Sequence, residues 1–370
     1  MSSPLILLNP YKRPRMASGG GGEGFTLEGD RYTINGSDFP SRSQTLPLWF
    51  DNFADASNGA PVPGRAPIHR RTSASAWGWT QGGVATQPTF SNSNQRISGK
   101  NHTRANLTSS AWNASPRIAH PFAGAGVTDV CLMMWYFLSY AGGVPSNSKP
   151  FIWYGNSTIN SDVPEHYLGW GGTGDEQLRS SYQDDVGGGA YNTDPVLYVT
   201  GMNLSTIAGR WIKIKNFVRQ SSAGTGTQGS GPQDGGHYLE IDDPDRPGGP
   251  VRYRGSRPTM RTRDTAFVYD AVDIAGFMSL SGGATGMMCA DDIYLDDQPM
   301  APRVVFTDSA DYDASTFDES QPSDIWSPTQ ISGIANFGRF SPGSTIHSHI
   351  VTGAGHSGFG SAVYCGSLVR

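Results

Sequence analysis

Charged residues are scarce in this chain, and their scarcity excludes some kinds of protein. Asp, Glu, Lys and Arg make up only 16% of the 370 residues, and the formal net charge is −5. Soluble domains usually carry about a quarter charged residues. No basic patch is dense enough to follow a phosphate backbone, so we do not expect nucleic-acid binding. The one basic run, formed by Lys12, Arg13 and Arg15, lies near the start of the chain.

Cysteines and long apolar segments are also rare. The three cysteines, Cys131, Cys289 and Cys365, cannot all pair within the chain. Cys131 and Cys289 lie in apolar, strand-like runs, which predicts buried thiols and folding in a reducing compartment. The longest apolar stretch, 130–138, has about half the length of a membrane-spanning helix. The opening residues resemble no signal peptide, so we expect no membrane span and no secretory export.

Glycine, proline and aromatic residues are plentiful instead. The chain has 48 Gly and 25 Pro, and 11% of its residues are aromatic. Short apolar runs alternate with turn-rich segments, and no helical pattern exceeds about two turns. In the run 211–218, alternate residues are expected to face opposite sides of a strand, with Trp211, Lys213, Lys215 and Phe217 on one side and Ile212, Ile214, Asn216 and Val218 on the other. This pattern predicts an all-β sandwich.

Changes in composition divide the chain into three parts. Residues 1–24 form an arm that ends in the Gly-rich hinge 18–24, residues 25–299 form a large β-domain, and residues 300–370 form a small one. The second boundary is placed at Pro299–Pro302, after which a new apolar pattern begins. The arm is expected to dock on a neighbouring protein through Pro10, Tyr11, Lys12, Arg13 and Arg15.

Two long polar segments, 54–118 and 155–195, carry tryptophans despite their loop-like composition. Aromatic faces stack on sugar rings, and binding residues are common on loops. The alternative is that these side chains pack against the domain and anchor the loops. The candidate contacts to a glycan or a partner are Trp77, Trp79, Trp153, Tyr167 and Trp170. Trp135 and Trp211 lie in apolar strands and are expected to be core residues.

The order of several segments resembles a known family. A Trp-led strand at 209–219 is followed by a hairpin at 233–241, a strand at 267–277 and Asp291-Asp-Ile-Tyr-Leu295. This arrangement resembles the second half of laminin-G-like, concanavalin-A-like jelly rolls, including those of polysaccharide lyases. The segment 48–53 looks like the opening strand of that family. The resemblance implies a concanavalin-A-like jelly roll in the large domain.

The C-terminal segment resembles a second module. The runs 301–305, 323–327, 330–332 and 340–344 look like the small TIG-type, immunoglobulin-like domain of phage and marine metagenomic proteins. Together the two resemblances imply a structural protein of a virus particle, such as a phage tail, fibre or capsid-surface component. Such a protein is assembled in the host cytoplasm, contacts other virion proteins and its own copies, and binds host glycans.

Acidic pairs are candidate catalytic groups, because glycosidases use two carboxylates that flank the sugar bond. Glu240 and Asp242 share a face if their strand continues, but Pro244 predicts that it ends there. Asp291 and Asp292 are expected to point to opposite faces if both lie in a strand. A polysaccharide lyase would use a Tyr or His base with neutralising arginines. The run 251–254 with 237–238 offers those residue types, which are equally expected as surface residues of a sandwich.

Two places in the sequence offer residues that could bind a metal ion. The resemblance implies a structural Ca²⁺ held by Asp51 or Asp55 together with Asp291 or Asp292, and turn formation is the alternative role of these residues. His347 and His349 alternate on a strand, so both rings point the same way and could bind a transition metal. The alternative is a pair of exposed histidines.

Three functions fit these observations. The first is a structural and interaction protein of a virus surface, without enzymatic activity. The second is a polysaccharide-active enzyme, either a lyase or a glycosidase. The third is a free-standing carbohydrate-binding protein. The missing run of alternating acids counts against the enzyme.

Overall fold

The computed structural model describes most of the chain. The described residues are 15–16, 30–71, 76–81, 87–97, 100–108, 114–119, 129–145, 147–154, 165–170, 177–183, 197–227, 230–262, 269, 271–280, 284–298, 300–355 and 360–369. They form two compact units, which we call the body, Pro47–Ala301, and the terminal unit, Met1–Leu46 with Pro302–Arg370. Within these ranges, no helix has the length and apolarity that crossing a bilayer requires.

The terminal unit consists of two four-stranded antiparallel sheets. The strands are β1 (Arg15–Met16), β2 (Arg31–Ser37), β19 (Arg303–Thr307), β20 (Asp318–Gln321), β21 (Ser323–Trp326), β22 (Gln330–Ile334), β23 (Thr345–Gly353) and β24 (Gly360–Val369). One sheet has the order β1-β2-β22-β21 and the other β20-β19-β23-β24. A 3-10 turn spans Tyr312–Ala314.

The body consists of a seven-stranded and a nine-stranded sheet. The first half of its elements is β3 (Trp49–Asp51), β4 (His69–Arg70), β5 (Gly78–Gln81), β6 (Thr89–Ser91), β7 (His102–Thr108), β8 (Ala114–Ala119), β9 (Asp129–Ala141) and β10 (Asn147–Tyr154). The second half is β11 (Glu165–Trp170), β12 (Gln177–Gln183), β13 (Leu197–Asn203), α1 (Leu204–Ile207), β14 (Trp211–Arg219), β15 (Gly235–Asp243), β16 (Val251–Met260), β17 (Ala271–Ser279) and β18 (Thr285–Asp296).

The two sheets of the body enclose one apolar core. The seven-stranded sheet has the order β13-β12-β11-β10-β17-β8-β5. The nine-stranded sheet has the order β16-β15-β14-β9-β18-β3-β4, with β7 also pairing β18 and β6 pairing β7. Ile212, Ile214 and Val218 from β14 join the core together with Phe151 and Trp153 from β10. The all-β sandwich class and the predicted alternation along β14 are therefore confirmed.

The division between the units differs from the predicted domains. The body ends at Ala301, within the predicted boundary region, but the terminal unit also takes residues 30–46 from the segment assigned to the large domain. Tyr32 pairs with Gly333 across β2 and β22. Tyr32 and Ile34 are buried in the core of that unit with Val304. The alternating burial of β2 gives it an apolar face, which the later strands cover.

The segments interpreted as long loops also contain paired strands. Strands β4 to β7 lie within 54–118 and β8 begins there, while β11 and β12 lie within 155–195. Their polar composition makes these strands hard to recognise in the sequence, because strands with mixed side chains lack a continuous apolar run. Of the predicted arm, Arg15 pairs with Ser37 in β2, and Pro10 to Arg13 lie outside the described residues. All three cysteines are buried free thiols, as predicted for Cys131 and Cys289.

Candidate functional site

The pairing of the nine-stranded sheet lines up side chains on the face opposite the core, which we call the outer face. Lys213 lies opposite Asp242 on one side and Trp135 on the other. Asp242 lies opposite Arg252, and Trp135 lies opposite Asp291. Directly opposed residues of antiparallel strands project to the same face. One row of polar and aromatic side chains therefore crosses five strands, which are β16, β15, β14, β9 and β18.

A parallel row lies two residues further along these strands. Lys215 lies opposite Glu240 and Met133, and Glu240 lies opposite Arg254. The ammonium nitrogen of Lys215 is 2.7 Å from Glu240 Oε1 and 2.8 Å from Asp242 Oδ2. The charges on adjacent strands thus alternate in sign across the sheet.

We call the cluster of Lys215, Tyr238, Glu240, Asp242, Arg252 and Arg254 the ion-pair region. Arg252 Nε donates to Asp242 Oδ1 at 2.6 Å, and Arg254 Nε donates to Glu240 Oε2 at 2.8 Å. The hydroxyl of Tyr238 also donates to Glu240 Oε2, at 2.6 Å. Glu240 and Asp242 share a face of β15, which ends at Asp243 immediately before Pro244, as the sequence predicts.

The environment of Glu240 fixes its ionisation. Burial by itself would raise the pKa of this carboxyl, but the charges of Lys215 and Arg252 outweigh burial and lower its pKa to about 2. A carboxyl with this pKa is ionised at neutral pH, so it has no proton to donate and little tendency to accept one. The ion-pair region is therefore suited to keeping the Glu240 carboxylate ionised and paired with cations, and not to proton transfer.

At the other end of the outer face, Arg96 binds a pair of acids. Arg96 Nε donates to Asp291 Oδ2 at 2.8 Å, and a terminal nitrogen donates to Asp292. Its guanidinium carbon lies 4.9 Å from the ring centroid of Trp135. This corrects the prediction that Asp291 and Asp292 point to opposite faces. A β-bulge between Asp291 and Tyr294, with Asp292 at φ 48°, turns both carboxylates toward one arginine.

His102 lies beside this arginine site. It begins β7, which pairs with β18 at Thr103 and Ala290. Its ring is edge-on to Trp211, with centroids 5.2 Å apart, and the residue is only 1% exposed. Neither ring nitrogen of His102 has a hydrogen-bond partner among the described residues. Burial, followed by the charges of Arg104 and Arg96, lowers the pKa of His102 to about 4, so the ring is neutral at pH 7.

The segment 92–97 carries Arg96 onto the outer face. The indole nitrogen of Trp211 donates to the carbonyl of Asn94 at 2.8 Å. Asn94 adopts a φ of 56°, in the left-handed region that asparagine tolerates better than most residues. Gln95 donates from its amide nitrogen to the carbonyl of Lys100 at 2.9 Å. The segment therefore lies on the part of the sheet that contains Trp135 and Trp211, and Trp211 in turn contacts His102.

The acids of the predicted Ca²⁺ site are bound by arginines. Asp51 is fully buried and accepts from Arg65 at 2.9 Å and from Trp77 Nε1 at 2.8 Å. Asp55 accepts from the same arginine at 2.6 Å. Burial raises the pKa of Asp51, whereas the bond from Arg65 lowers that of Asp55. Arg65 and Arg96 thus supply positive charge to these acids, and Ca²⁺ binding there stays a prediction.

Buried carboxylates that a metal could use also occur at Glu240 and Asp242. One oxygen of each lies within 4.8 Å of the other. Lys215 is within hydrogen-bond distance of both side chains. A metal at this position would have to displace the Lys215 ammonium group.

The two histidines of β23 lie on the same side, as expected from their spacing. Both rings are near Tyr364, at centroid distances of 5.9 Å for His347 and 5.5 Å for His349. His349 is 1% exposed, so it is not an exposed histidine. Its Nε2 lies 2.9 Å from Thr307 Oγ1 and 3.0 Å from the carbonyl of Ser309, which leaves only Nδ1 for a metal. Burial lowers the pKa of His349.

Two of the aromatic residues predicted to contact a glycan are core residues instead. Trp77 is 2% exposed and packs edge-on against Trp49, with ring centroids 5.1 Å apart. Trp153 is fully buried, with Tyr269 at 5.6 Å. Neither ring has a face available for a sugar, so the anchoring interpretation holds for both.

The other three predicted aromatic contacts lie on strands of the seven-stranded sheet. Trp79 is in β5, and Tyr167 and Trp170 are in β11. Their side chains lie outside the described part of the structure. The prediction that they contact a glycan therefore stays a prediction.

Sequence reasoning did not identify Arg96, His102 or Trp135 as site residues. Arg96 and His102 fall in the segment interpreted as a loop, and Trp135 was assigned to the core. The available signal was the alternation of His102 and Arg104, which places both on one face of a strand. Trp135 is indeed buried, but on the face opposite the apolar core.

No protein-family model and no curated protein matches this chain. Among solved structures, an alginate lyase from a Chlorella virus aligns with 10% identity and a TM-score of 0.37, covering 60% of this chain and 93% of that one. A carbohydrate esterase of a Shiga toxin-encoding bacteriophage aligns with 15% identity and a TM-score of 0.32, covering 60% and 89%. The receptor-binding domain of botulinum neurotoxin type G aligns with 9% identity and a TM-score of 0.34, covering 83% and 79%. TM-scores this low carry no argument about function.

Proposed function

We propose that this protein is a structural and interaction protein of a virus-particle surface that contacts other virion proteins, its own copies and host glycans, and that it is not an enzyme. The observation that carries the proposal is that the Glu240 carboxylate of the ion-pair region is already occupied by hydrogen bonds from its neighbours. Glu240, the best-placed acid, receives bonds from Lys215, Tyr238 and Arg254. A carboxylate held in this way stabilises a sheet and is not available for proton transfer.

The chemistry of glycoside hydrolysis supports this choice. The acid in such enzymes must hold a proton near neutral pH, so its pKa is raised. The cations around Glu240 lower its pKa to about 2 instead. The sequence resemblance to virion proteins and the two β-sandwich units are consistent with a particle component.

A polysaccharide lyase is the second candidate, and the residue types of the ion-pair region favour it. Tyr238 is the available base, and Arg252 and Arg254 are the available neutralising groups. However, the Tyr238 hydroxyl donates to the Glu240 carboxylate at 2.6 Å. A phenolate formed by loss of that proton would face a negative charge directly, which disfavours Tyr238 as a base.

Activity measurements on the purified full chain test the proposal. Wild-type protein and Glu240→Gln are incubated with a panel of bacterial and algal polysaccharides, and reducing ends and unsaturated uronates are quantified. We expect no turnover by either protein, and mass photometry is expected to show a homo-oligomer. Cleavage by the wild type that is lost in Glu240→Gln would establish the enzyme instead. A monomer with saccharide-cleaving activity would contradict the whole proposal.

A further inference from the structure

The position occupied by Arg96 has the chemistry of a saccharide site. Asp291 and Asp292 each accept a hydrogen bond from Arg96, and Trp135 presents its ring 4.9 Å from the guanidinium carbon. A sugar ring offers the same two features, hydroxyl donors at its edge and an apolar C–H face. The flat guanidinium group, with its five donors, therefore makes the contacts that a sugar would make.

His102 is a second and independent indication of a ligand. A buried polar group without a partner costs free energy, so such groups are rare and call for an explanation. Both ring nitrogens of His102 lack a partner among the described residues, although the residue is 1% exposed. The neutral ring has one donor and one acceptor. A sugar hydroxyl, which donates and accepts, satisfies either nitrogen.

The segment 92–97 is held in place by polar contacts. Arg96 and the bond from Trp211 to the Asn94 carbonyl hold it to the outer face, and the amide of Asn92 donates to Asn58 Oδ1 at 3.2 Å. Residues 92–94 are exposed, and no residue of the segment belongs to the apolar core of the body. Loss of the Arg96 contacts would therefore loosen the segment without removing a side chain from the apolar core.

We propose that residues 92–97 form a lid over a saccharide site made by Trp135, His102, Asp291 and Asp292, with Arg96 as its internal pseudo-ligand. The ligand class is a neutral, hydroxyl-rich saccharide. When the lid opens, Arg96 leaves and the two carboxylates face the ligand, so an anionic sugar is repelled. The inference rests on the proposed glycan-binding function and specifies where on the body that binding occurs.

Binding to a neutral glycan array tests the lid. The full-length Arg96→Ala protein loses the pseudo-ligand, and we expect its apparent affinity for neutral glycans to rise roughly 10- to 100-fold, the gain from opening a site that is competent about 1–10% of the time. Adding His102→Ala to Arg96→Ala should abolish the gain. The matched control is Arg65→Ala, because Arg65 also binds two acids, Asp51 and Asp55, and does not belong to segment 92–97. It should leave binding unchanged.

Two further measurements keep the test decisive. Should Arg96→Ala fail to fold by circular dichroism, Arg96→Gln removes the charge while keeping the side-chain length, and the same gain is expected. Hydrogen exchange of amides 92–97 should be faster in the Arg96 variant than in wild type or Arg65→Ala. Unchanged binding in the folded Arg96 variant, or an equal gain in Arg65→Ala, overturns the lid. Neither outcome bears on turnover or assembly, which decide the proposed function separately.

Discussion

The ion-pair region and the lidded site belong to one outer face, but they differ in how completely their polar groups are paired. In the ion-pair region, Lys215 lies within 2.8 Å of two carboxylates, and Glu240 receives three hydrogen bonds. Under the lid, His102 is equally buried and has no partner for either nitrogen among the described residues. Burial alone therefore does not distinguish a structural cluster from a ligand site.

The difference follows from the pattern of residues on neighbouring strands. In β14, β15 and β16, two neighbouring rows of the outer face place opposite charges side by side, namely Lys213, Asp242 and Arg252 in one row and Lys215, Glu240 and Arg254 in the other. Opposite charges facing each other stabilise a sheet, and they compensate the cost of leaving water. Strand β7 places His102 edge-on to Trp211 and near the charges of Arg104 and Arg96, and neither ring nitrogen finds a partner in the described part of the chain. The charged groups of the ion-pair region therefore pair with one another, whereas the ring nitrogens of His102 need a partner from a ligand.

The largest expected effect is loss of the central cation of the ion-pair region. Lys215→Met leaves the Glu240 and Asp242 carboxylates buried with fewer compensating charges. Breaking a buried pair in this way costs about 3–5 kcal/mol in the free energy of unfolding. Chemical denaturation of the wild type and the variant measures the difference.

A double variant completes this test. Lys215→Met combined with Glu240→Met removes both partners, so its stability should lie above that of Lys215→Met alone. If Lys215→Met is within about 1 kcal/mol of wild type, the charges of the ion-pair region are effectively solvated. The proposed contrast with the lidded site would then be wrong.

A smaller effect is expected from acid, and it arises from His102. Its folded pKa of about 4 lies below the ordinary value of 6.5. The unfolded chain therefore binds the proton first, and the stabilisation is complete above pH 6.5 and is lost as pH falls toward 4. The shift corresponds to a loss on the order of 3 kcal/mol over this range. Thermal midpoints measured from pH 7 to pH 4 should fall accordingly.

The variant His102→Gln isolates this contribution, because glutamine does not titrate. Its thermal midpoint should change less than that of wild type between pH 6.5 and pH 4. Glu240 acts at lower pH, since its pKa of about 2 means that its stabilisation is lost below about pH 4.5, as pH falls through the folded value. Identical pH profiles of His102→Gln and wild type would show that the imidazole is not held neutral by its site.

The all-β class and the alternation along β14 could be predicted from the sequence, because a period of two in apolar residues determines which side chains reach the core. That residues 31–46 belong to the terminal unit could not be predicted from the sequence. Strand β2 pairs with β22, about 300 residues away in the chain, and local pattern carries no information about such a partner. The strands within the polar segments were missed for a related reason. They are held in the sheets by pairing with other strands, and their composition has no apolar run that would reveal them.

The candidate site shows the same limit at the level of single residues. The shared face of Glu240 and Asp242 follows from strand alternation and was predicted. The shared orientation of Asp291 and Asp292 was not, because one residue of bulge at Asp292 reverses the expectation. The arginines that bind these acids come from other segments, with Arg96 195 residues before Asp291. The spacing of residues in the sequence therefore identifies neighbouring acids, but it does not identify the distant arginines that bind them in the folded chain.

The smallest expected effect comes from an exposed ion pair in the terminal unit, which sets a lower reference for the buried pairs. Arg31 donates two hydrogen bonds to Asp324, at 2.7 and 2.6 Å, a geometry as good as that of Lys215. However, the two side chains are 47% and 30% exposed. Water already solvates these charges, so Asp324→Asn should cost less than about 1 kcal/mol, and less still in high salt. A loss as large as that of Lys215→Met, measured by chemical denaturation, would mean that geometry rather than burial sets the strength of ion pairs in this protein.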